Sequence, residues 1–395
     1  MTMPDVTLNF TLEEYRQRLA KVRKAMEAKE IELLLVTDPS NMHWLTGYDG
    51  WSFYVHQGVL LAQEGEPLWY GRGQDANGAL RTVFMAAENV LSYPDDYVQN
   101  VAKHPMEHLA ALLQDRGWDR KVLGLEMDNY YFTAAAHAAL AEHLPNARRV
   151  DATGLVNWQR AVKSPQEIAY VRIAARIVEA IHARILELVE PGLPKNQLVA
   201  EIYRAGIAGV DGHGGDYPAI APMLPTGRDA AAAHLTWDER PFADGAGTFF
   251  EVAGCHKRYH CPLSRTVYLG QPPVKFLDAE KAVLEGLEAG LQAAKPGATC
   301  AEVEAAFRKA IARHGIEKDS RCGYSFGLSY PPDWGERTMS LRAGDHSELR
   351  PGMCFHFIPA LWFDDWGIEI TESFLVTEAG AECLAKVPRQ LFVKN

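Results

Sequence analysis

Two stretches of this 395-residue chain carry the same punctuation about 105 residues apart, and that recurrence restricts the fold more than any other feature. Glu190-Pro191-Gly192-Leu193-Pro194 stands between a helical stretch and a second helix from about Asn196. Lys295-Pro296-Gly297-Ala298-Thr299 stands ahead of another. Proline and glycine interrupt a helix, so each group marks a turn. Thr299 and Glu302 have the spacing of a capping box, and Val303, Phe307 and Ile311 follow at helical intervals. Two such helix–turn–helix units predict an α+β domain with an internal pseudo-twofold. Its first helix begins at Lys163-Ser164-Pro165-Gln166-Glu167, where serine caps, proline presets φ and glutamate closes the box. That helix is expected to run to about residue 189, with a domain boundary between residues 160 and 161.

Residues 1–160 read differently. Thr11-Leu12-Glu13-Glu14 is another capping box, and Leu12, Tyr15, Leu19, Val22 and Met26 then give one buried helical face. Short apolar runs at 31–36, 58–61, 67–70 and 122–125 read as strands, with a helix around 106–113. Asp38-Pro39-Ser40-Asn41 reads as a turn. The alternation predicts an α/β domain.

Composition narrows the function class. A net charge of −11 argues against a nucleic-acid partner, since phosphate binding needs a basic footprint. No run of 18 apolar residues suggests a membrane span, and the first residues lack a signal-peptide layout. Six cysteines in 395 residues are too few for a disulfide framework. The expectation is a soluble cytoplasmic enzyme.

Glu251 is the residue most out of place. Thr248-Phe249-Phe250 precede it and Val252-Ala253 follow, so it interrupts a stretch that reads as a buried strand. A carboxylate there is costly unless it is paired or functional. The bland reading is an ion pair with Arg258 or Arg265. His234, seventeen residues earlier in Ala-Ala-Ala-Ala-His, is a candidate proton shuttle, although a lone histidine is more often a surface or core residue. Cys255-His256 and His260-Cys261 hold possible zinc donors, yet adjacent strand residues face apart and the spacing fits no common zinc module. His256 and His260 are left as pocket-lining candidates. Tyr48-Asp49-Gly50-Trp51-Ser52-Phe53-Tyr54-Val55-His56 is dense in aromatics, which pack a core or stack on a delocalised cation.

Residues 249–270 with their flanks resemble the central hairpin of the pita-bread-fold family, which includes aminopeptidase P, prolidase, methionine aminopeptidase and creatinase. The Lys-Ser-Pro-x-Glu helix start and the pseudo-twofold agree with it. The resemblance implies a creatinase-like N-terminal α/β domain over 1–160 and a pita-bread catalytic domain over 161–395. Metallopeptidases of that family bridge two divalent ions with two aspartates eleven residues apart; here the positions hold Glu251 and Pro262. The ligand histidine of a Gly-His-x-x-Gly turn becomes Tyr324, and the glutamate of a Glu-Pro pair becomes Ile358 before Pro359. The final glutamate aligns with Thr371, flanked by Glu369 and Glu372. Tyrosine, isoleucine and proline supply no metal-binding set, so the expectation is no metal and no cofactor.

Within the family the chain is similar to the ectoine-hydrolysing branch. That resemblance implies metal-independent opening of the cyclic amidine of ectoine to N-acetyl-2,4-diaminobutyrate, with 5-hydroxyectoine a candidate second substrate. Glu251 and His234 are then catalytic, His234 by its creatinase-like spacing. Trp51, Phe53, Tyr324, Arg337, Glu369, Glu372 and His256 contact substrate. As in creatinase, a homodimer is expected, with Trp51 and Phe53 entering the partner's pocket. Val55 replaces a creatinase arginine, which counts against a creatinase-like amidinohydrolase. A metal-dependent Xaa-Pro peptidase lacks its ligands, and a non-catalytic binding protein would have no reason to keep both Glu251 and His234.

Overall fold

The computed structural model describes residues 6–395. The chain divides into two compact units, Met1–Arg160 and Ala161–Asn395.

The first unit is built on a six-stranded mixed sheet: β1 (Leu33–Val36), β2 (Gly58–Ala62), β3 (Leu68–Arg72), β4 (Val90–Tyr93), β5 (Val122–Leu125) and β6 (Arg148–Asp151) in the order β4-β3-β2-β1-β5-β6. The β1–β2–β3 meander is antiparallel, whereas β4, β5 and β6 join in parallel through helical crossovers. Its helices are α1 (Leu12–Glu27), α2 (Pro39–Thr46), α3 (Gly73–Thr82), α4 (Pro105–Asp115), α5 (Ala134–His143) and α6 (Leu155–Arg160). One apolar layer, with Leu19, Val22, Leu34 and Trp69, packs on one face; another, with Leu35, Leu60, Leu109 and Leu140, packs on the other. Only half of the Thr11 box is visible as expected: Thr11 Oγ1 accepts from the Glu14 amide, while the Glu14 carboxylate pairs with Arg18.

Asp38–Asn41 is not the turn that Pro39 suggested. Asp38 Oδ1 accepts the Ser40 amide at 2.7 Å and Pro39 takes the first helical position, so the segment opens α2. The Glu126 carboxylate anchors that start, accepting from Thr37 N, Asp38 N and Asn41 Nδ2.

The second unit starts with α7 (Pro165–Leu188) and α8 (Lys195–Ala208). The hairpin β7 (Ala246–His256) and β8 (Tyr259–Leu269) follows, and then the second helix pair, α9 (Val274–Ala293) and α10 (Cys300–Ala312). Both expected capping boxes are complete, at Ser164–Glu167 and Thr299–Glu302. The remaining strands are β9 (Gly323–Phe326), β10 (Gly335–Ser340), β11 (Cys354–Phe357), β12 (Leu361–Trp362), β13 (Gly367–Ile368), β14 (Glu372–Thr377), β15 (Gly380–Cys383) and β16 (Phe392–Lys394). Five of them form the sheet β10-β9-β11-β14-β15, and β16 extends the hairpin sheet. A core of Phe307, Phe355, Phe357, Leu287 and Ile368 sits among α9, α10 and these strands. Among the described residues no helix is long and apolar enough to cross a membrane.

Candidate active site

The hairpin fixes the direction of every side chain it contributes. β7 and β8 pair without a slip from Ala246↔Leu269 to His256↔Tyr259, closed by Lys257 and Arg258 at φ of 51° and 65°. Two left-handed residues make the turn whose twist suits a tight hairpin. At Gly254 a Cβ would lie 2.0 Å from the Ala174 carbonyl oxygen, so α7 presses its backbone against that face. Strand alternation then turns Phe249, Glu251 and Ala253 to the opposite face. Ser264 stands directly across from Glu251, and Pro262 across from Ala253.

On that face the second sheet closes over Glu251. His356, on β11 between Phe355 and Phe357, holds Nδ1 3.9 Å from Glu251 Oε1. Its Nε2 lies 2.9 Å from Thr371 Oγ1, which also accepts the Ser264 amide at 2.7 Å. Tyr324, paired with His356 across β9 and β11, brings its hydroxyl 3.4 Å from Nδ1 and accepts from Trp334 Nε1 at 2.8 Å. Glu369 is placed by its backbone: Thr266 Oγ1 donates to the Glu369 carbonyl and accepts its amide.

Burial dominates the electrostatics here. Glu251 is held well above the ordinary carboxylate range, first by desolvation and then by the neighbouring Glu369. Glu369 is pushed up to about 8 by desolvation, moderated by the Lys318 ammonium and the Ser264 hydroxyl. Burial lowers His356 to about 3, with Arg265 and Arg321 adding to the effect. The 3.9 Å contact therefore joins a neutral imidazole to a carboxyl whose charged form is disfavoured, and is not an ordinary ion pair. Tyr324 is raised above its usual value by desolvation and by Glu251. Burial and mutual proximity thus disfavour charge on both carboxyl groups.

The other expected residues are distributed differently. Glu372 is not at the pocket: one residue out of step with Thr371, it turns to the far side, where Oε1 accepts from Arg265 at 2.6 Å and Arg389 at 3.1 Å. It is a structural anchor, and the ion pair imagined for Glu251 with Arg265 belongs to it. His256 is likewise corrected. Five residues from Glu251 along a regular strand, it faces α7, with Nδ1 2.8 Å from the Gly214 carbonyl and its ring against Tyr170. His260 is a buried spacer, whose Nε2 accepts the Ala219 amide while Nδ1 meets the Arg258 carbonyl. Arg337 is exposed on β10 at φ 55°, beside the buried Lys163–Glu336 pair. His234 lies in an exposed turn with no hydrogen bond to Glu251. Its segment is nonetheless laddered toward the hairpin, since Leu224 N donates to the Thr236 carbonyl and Met223 bridges Glu251. Trp51 and Phe53 lie in the first unit ahead of β2, rings 4.6 Å apart, Trp51 62% exposed.

His356 and the Thr371–Ser264 link escaped the sequence reading. The available signal was a histidine between two phenylalanines, two residues before the Ile358 that replaces a ligand.

Residues 169–378 match the model of metallopeptidase family M24, and residues 18–162 match the creatinase/prolidase N-terminal domain. The chain belongs to family M24 and is a hydrolase. It is 61% identical, over 99% of its length and 100% of the relative's, to an ectoine hydrolase of Halomonas elongata. It is also 42% identical, over 98% of its length and 99% of the relative's, to an uncharacterized hydrolase/peptidase of Sinorhizobium fredii. In fold it is similar to a prolidase from Thermococcus sibiricus, with a TM-score of 0.84 at 19% identity over 96% of this chain and 99% of that one.

The family name implies a divalent metal, and the donors present do not fit one. Pro262 and Ile358 offer no side-chain ligand, and Tyr324 and Thr371 are committed to Trp334, Ser264 and His356. Among the described residues no three His, Cys, Asp or Glu side chains are grouped to hold an ion.

Proposed function

We propose that this protein hydrolyses ectoine, opening its cyclic amidine to N-acetyl-2,4-diaminobutyrate without a metal. The observation that carries the reading is the buried carboxyl pair Glu251 and Glu369, at the place where the family keeps its metal. A divalent cation polarises a peptide carbonyl; an amidinium carbon is already electrophilic, and a metal would repel it. A carboxylate pair attracts it instead. A cation about 4 Å from a carboxylate at an effective dielectric of about 20 gains about 4 kcal/mol, equivalent to about three pKa units. That is enough to return a group held near 8 to the ionised form at neutral pH. The full-length similarity to a curated ectoine hydrolase supports the substrate.

In this reading Glu251 attacks the amidinium carbon and its electron pair forms a C–O bond. The ring C–N bond then breaks as the leaving nitrogen takes a proton from His234. Water adds to the same carbon and gives one proton back to His234; the bond to Glu251 then breaks as the new hydroxyl becomes the amide carbonyl, its proton passing to the freed amine, and the product leaves with the carboxylate restored. A general-base role for Glu251 on that water gives the same product. Arg337 is a candidate for the substrate carboxylate, and 5-hydroxyectoine for a second substrate. We also propose a cytoplasmic homodimer in which Trp51 and Phe53 stack on substrate in the partner's pocket. The exposure of Trp51, Tyr54 and Tyr130 supports an interface on this unit.

The test is turnover of ectoine by purified protein, before and after exhaustive chelation, with metal analysis of the active sample. Unchanged turnover and substoichiometric metal are expected. Activity that disappears with chelator and returns with a divalent ion would overturn the metal-free mechanism, and no turnover in any condition would overturn the substrate.

A further inference from the structure

The hydroxyl of Thr371 is fully buried, and its hydrogen bonds can be counted. Oγ1 accepts from the Ser264 amide at 2.7 Å and lies 2.9 Å from His356 Nε2. A buried hydroxyl has one proton to donate and needs an acceptor for it. Ser264 N is a donor, so among the described residues the one acceptor left to Thr371 is His356 Nε2. Thr371 then donates, Nε2 accepts, and the ring proton of this neutral histidine is forced onto Nδ1.

The competing assignment places the proton on Nε2 and lets the Tyr324 hydroxyl donate to Nδ1. Both assignments use the same two contacts, so satisfaction decides between them: the competing assignment leaves the buried Thr371 proton without an acceptor. Tyr324 differs from Thr371 in having a further acceptor for its proton, the neighbouring Glu251 carboxyl.

We propose that the Ser264 amide, Thr371 and His356 form a fixed-tautomer relay, and that His356 is a positioning residue whose Nδ1–H holds the Tyr324 hydroxyl, 3.4 Å away, beside Glu251. Trp334 and Nδ1–H both point at the Tyr324 oxygen, which leaves the Tyr324 hydroxyl proton for Glu251 or substrate. The reactive carboxyl thus has the Tyr324 donor from β9 available to it and faces the N–H edge of His356 on β11 rather than a ring lone pair. Donors of this kind favour the carboxylate over the carboxylic acid, so they act when the arriving cation draws the proton off. The other charged groups near the relay are Glu369, with Lys318 beside it, and Arg265 and Arg321 on the His356 side. None of the four hydrogen-bonds to either ring nitrogen.

The catalytic part of this inference rests on the reading of Glu251 given above; the tautomer does not, and it is tested without substrate. Nitrogen NMR of histidine-labelled protein at neutral pH distinguishes a protonated ring nitrogen from a bare one. The His356 signals are assigned by their loss in His356→Gln. Wild type should show a bare Nε2 and a protonated Nδ1. Thr371→Val should abolish that preference, and Thr371→Ser should restore it. In turnover, Thr371→Val should lower kcat by about tenfold with KM within about twofold, the loss of one hydrogen bond that matters mainly in the reacting state. Thr371→Ser should recover most of it. A protonated Nε2 in wild type would overturn the relay whatever the substrate is. The expected tautomer with an unchanged kcat in a well-folded Thr371→Val protein would overturn its role in catalysis.

Discussion

Replacing Glu369 by glutamine should make the empty protein less sensitive to pH while damaging its chemistry. The wild-type carboxyl is held near 8 in the folded chain, against 4.5 when unfolded, chiefly because burial disfavours its charge. The sign follows from linkage. A group whose folded pKa is raised costs nothing below the unfolded value. As pH rises above 4.5 the unfolded chain gains the freedom to ionise while the folded chain keeps its proton, so stability falls until pH reaches the folded value. Between pH 5 and pH 7 that loss is about 2.5 kcal/mol, at 1.36 kcal/mol per unit. Glutamine cannot ionise, so the variant should lack this component. Its absolute stability at pH 5 is set by a separate balance, because a buried amide lacking partners costs about 1–3 kcal/mol. The slope is therefore the clean quantity. In denaturant titrations of both proteins at pH 5, 6, 7 and 8 without ectoine, wild type should lose about 2.5 kcal/mol relative to the variant from pH 5 to pH 7, or about 5–10 °C in the melting of the second unit. Parallel curves would refute the claim that a buried proton is stored there. Ectoine should stabilise wild type more than Glu369→Gln, because only the former has that charge to release.

Three further outcomes are expected. Glu251→Gln should abolish turnover, while His234→Ala slows it by about 10²–10⁴ as for a lost general acid–base; a Glu251→Gln protein near the wild-type rate would sink the mechanism. Quenched intact-protein mass spectrometry on a slowed variant retaining Glu251 should find one ectoine added to the peptide holding that residue, and its absence alongside lost Glu251→Gln activity would favour the general-base route. Mixing inactive Trp51→Ala and Glu251→Gln proteins should regain part of the activity in hybrid dimers, whereas a fully active monomer would exclude a shared pocket.

Much of the framework was legible because it is written locally. The boxes at Ser164 and Thr299 close within three residues, and helix periodicity and short apolar runs announce themselves over a few more. Glu251 stood out for the same reason, as a carboxylate in an apolar strand. The substitutions Pro262, Tyr324 and Ile358 argued against a metal site without coordinates. The sequence alone did not say which neighbours share a face. Glu372 and His256 look equivalent to Glu369 and Glu251 along the chain, and the two-residue alternation of extended backbone sends them elsewhere.

The chemical state of the site is a tertiary property. Ser264, Glu369, Thr371, His356 and Tyr324 come from four separate stretches of the second unit, and only folding brings them against Glu251. A phenylalanine-flanked histidine such as His356 reads as core from sequence, and in burial it is core. Its function depends on a 2.9 Å hydrogen bond to Thr371, on the need of that buried hydroxyl's proton for an acceptor beside the donating Ser264 amide, and on the burial that keeps the ring neutral. Sequence determined that a carboxylate would lie in an apolar strand. Tertiary structure decided that it would face a second carboxyl and a neutral imidazole. The physical reason is that proton affinity depends on charge and burial within a few ångströms, across contacts the linear order does not contain.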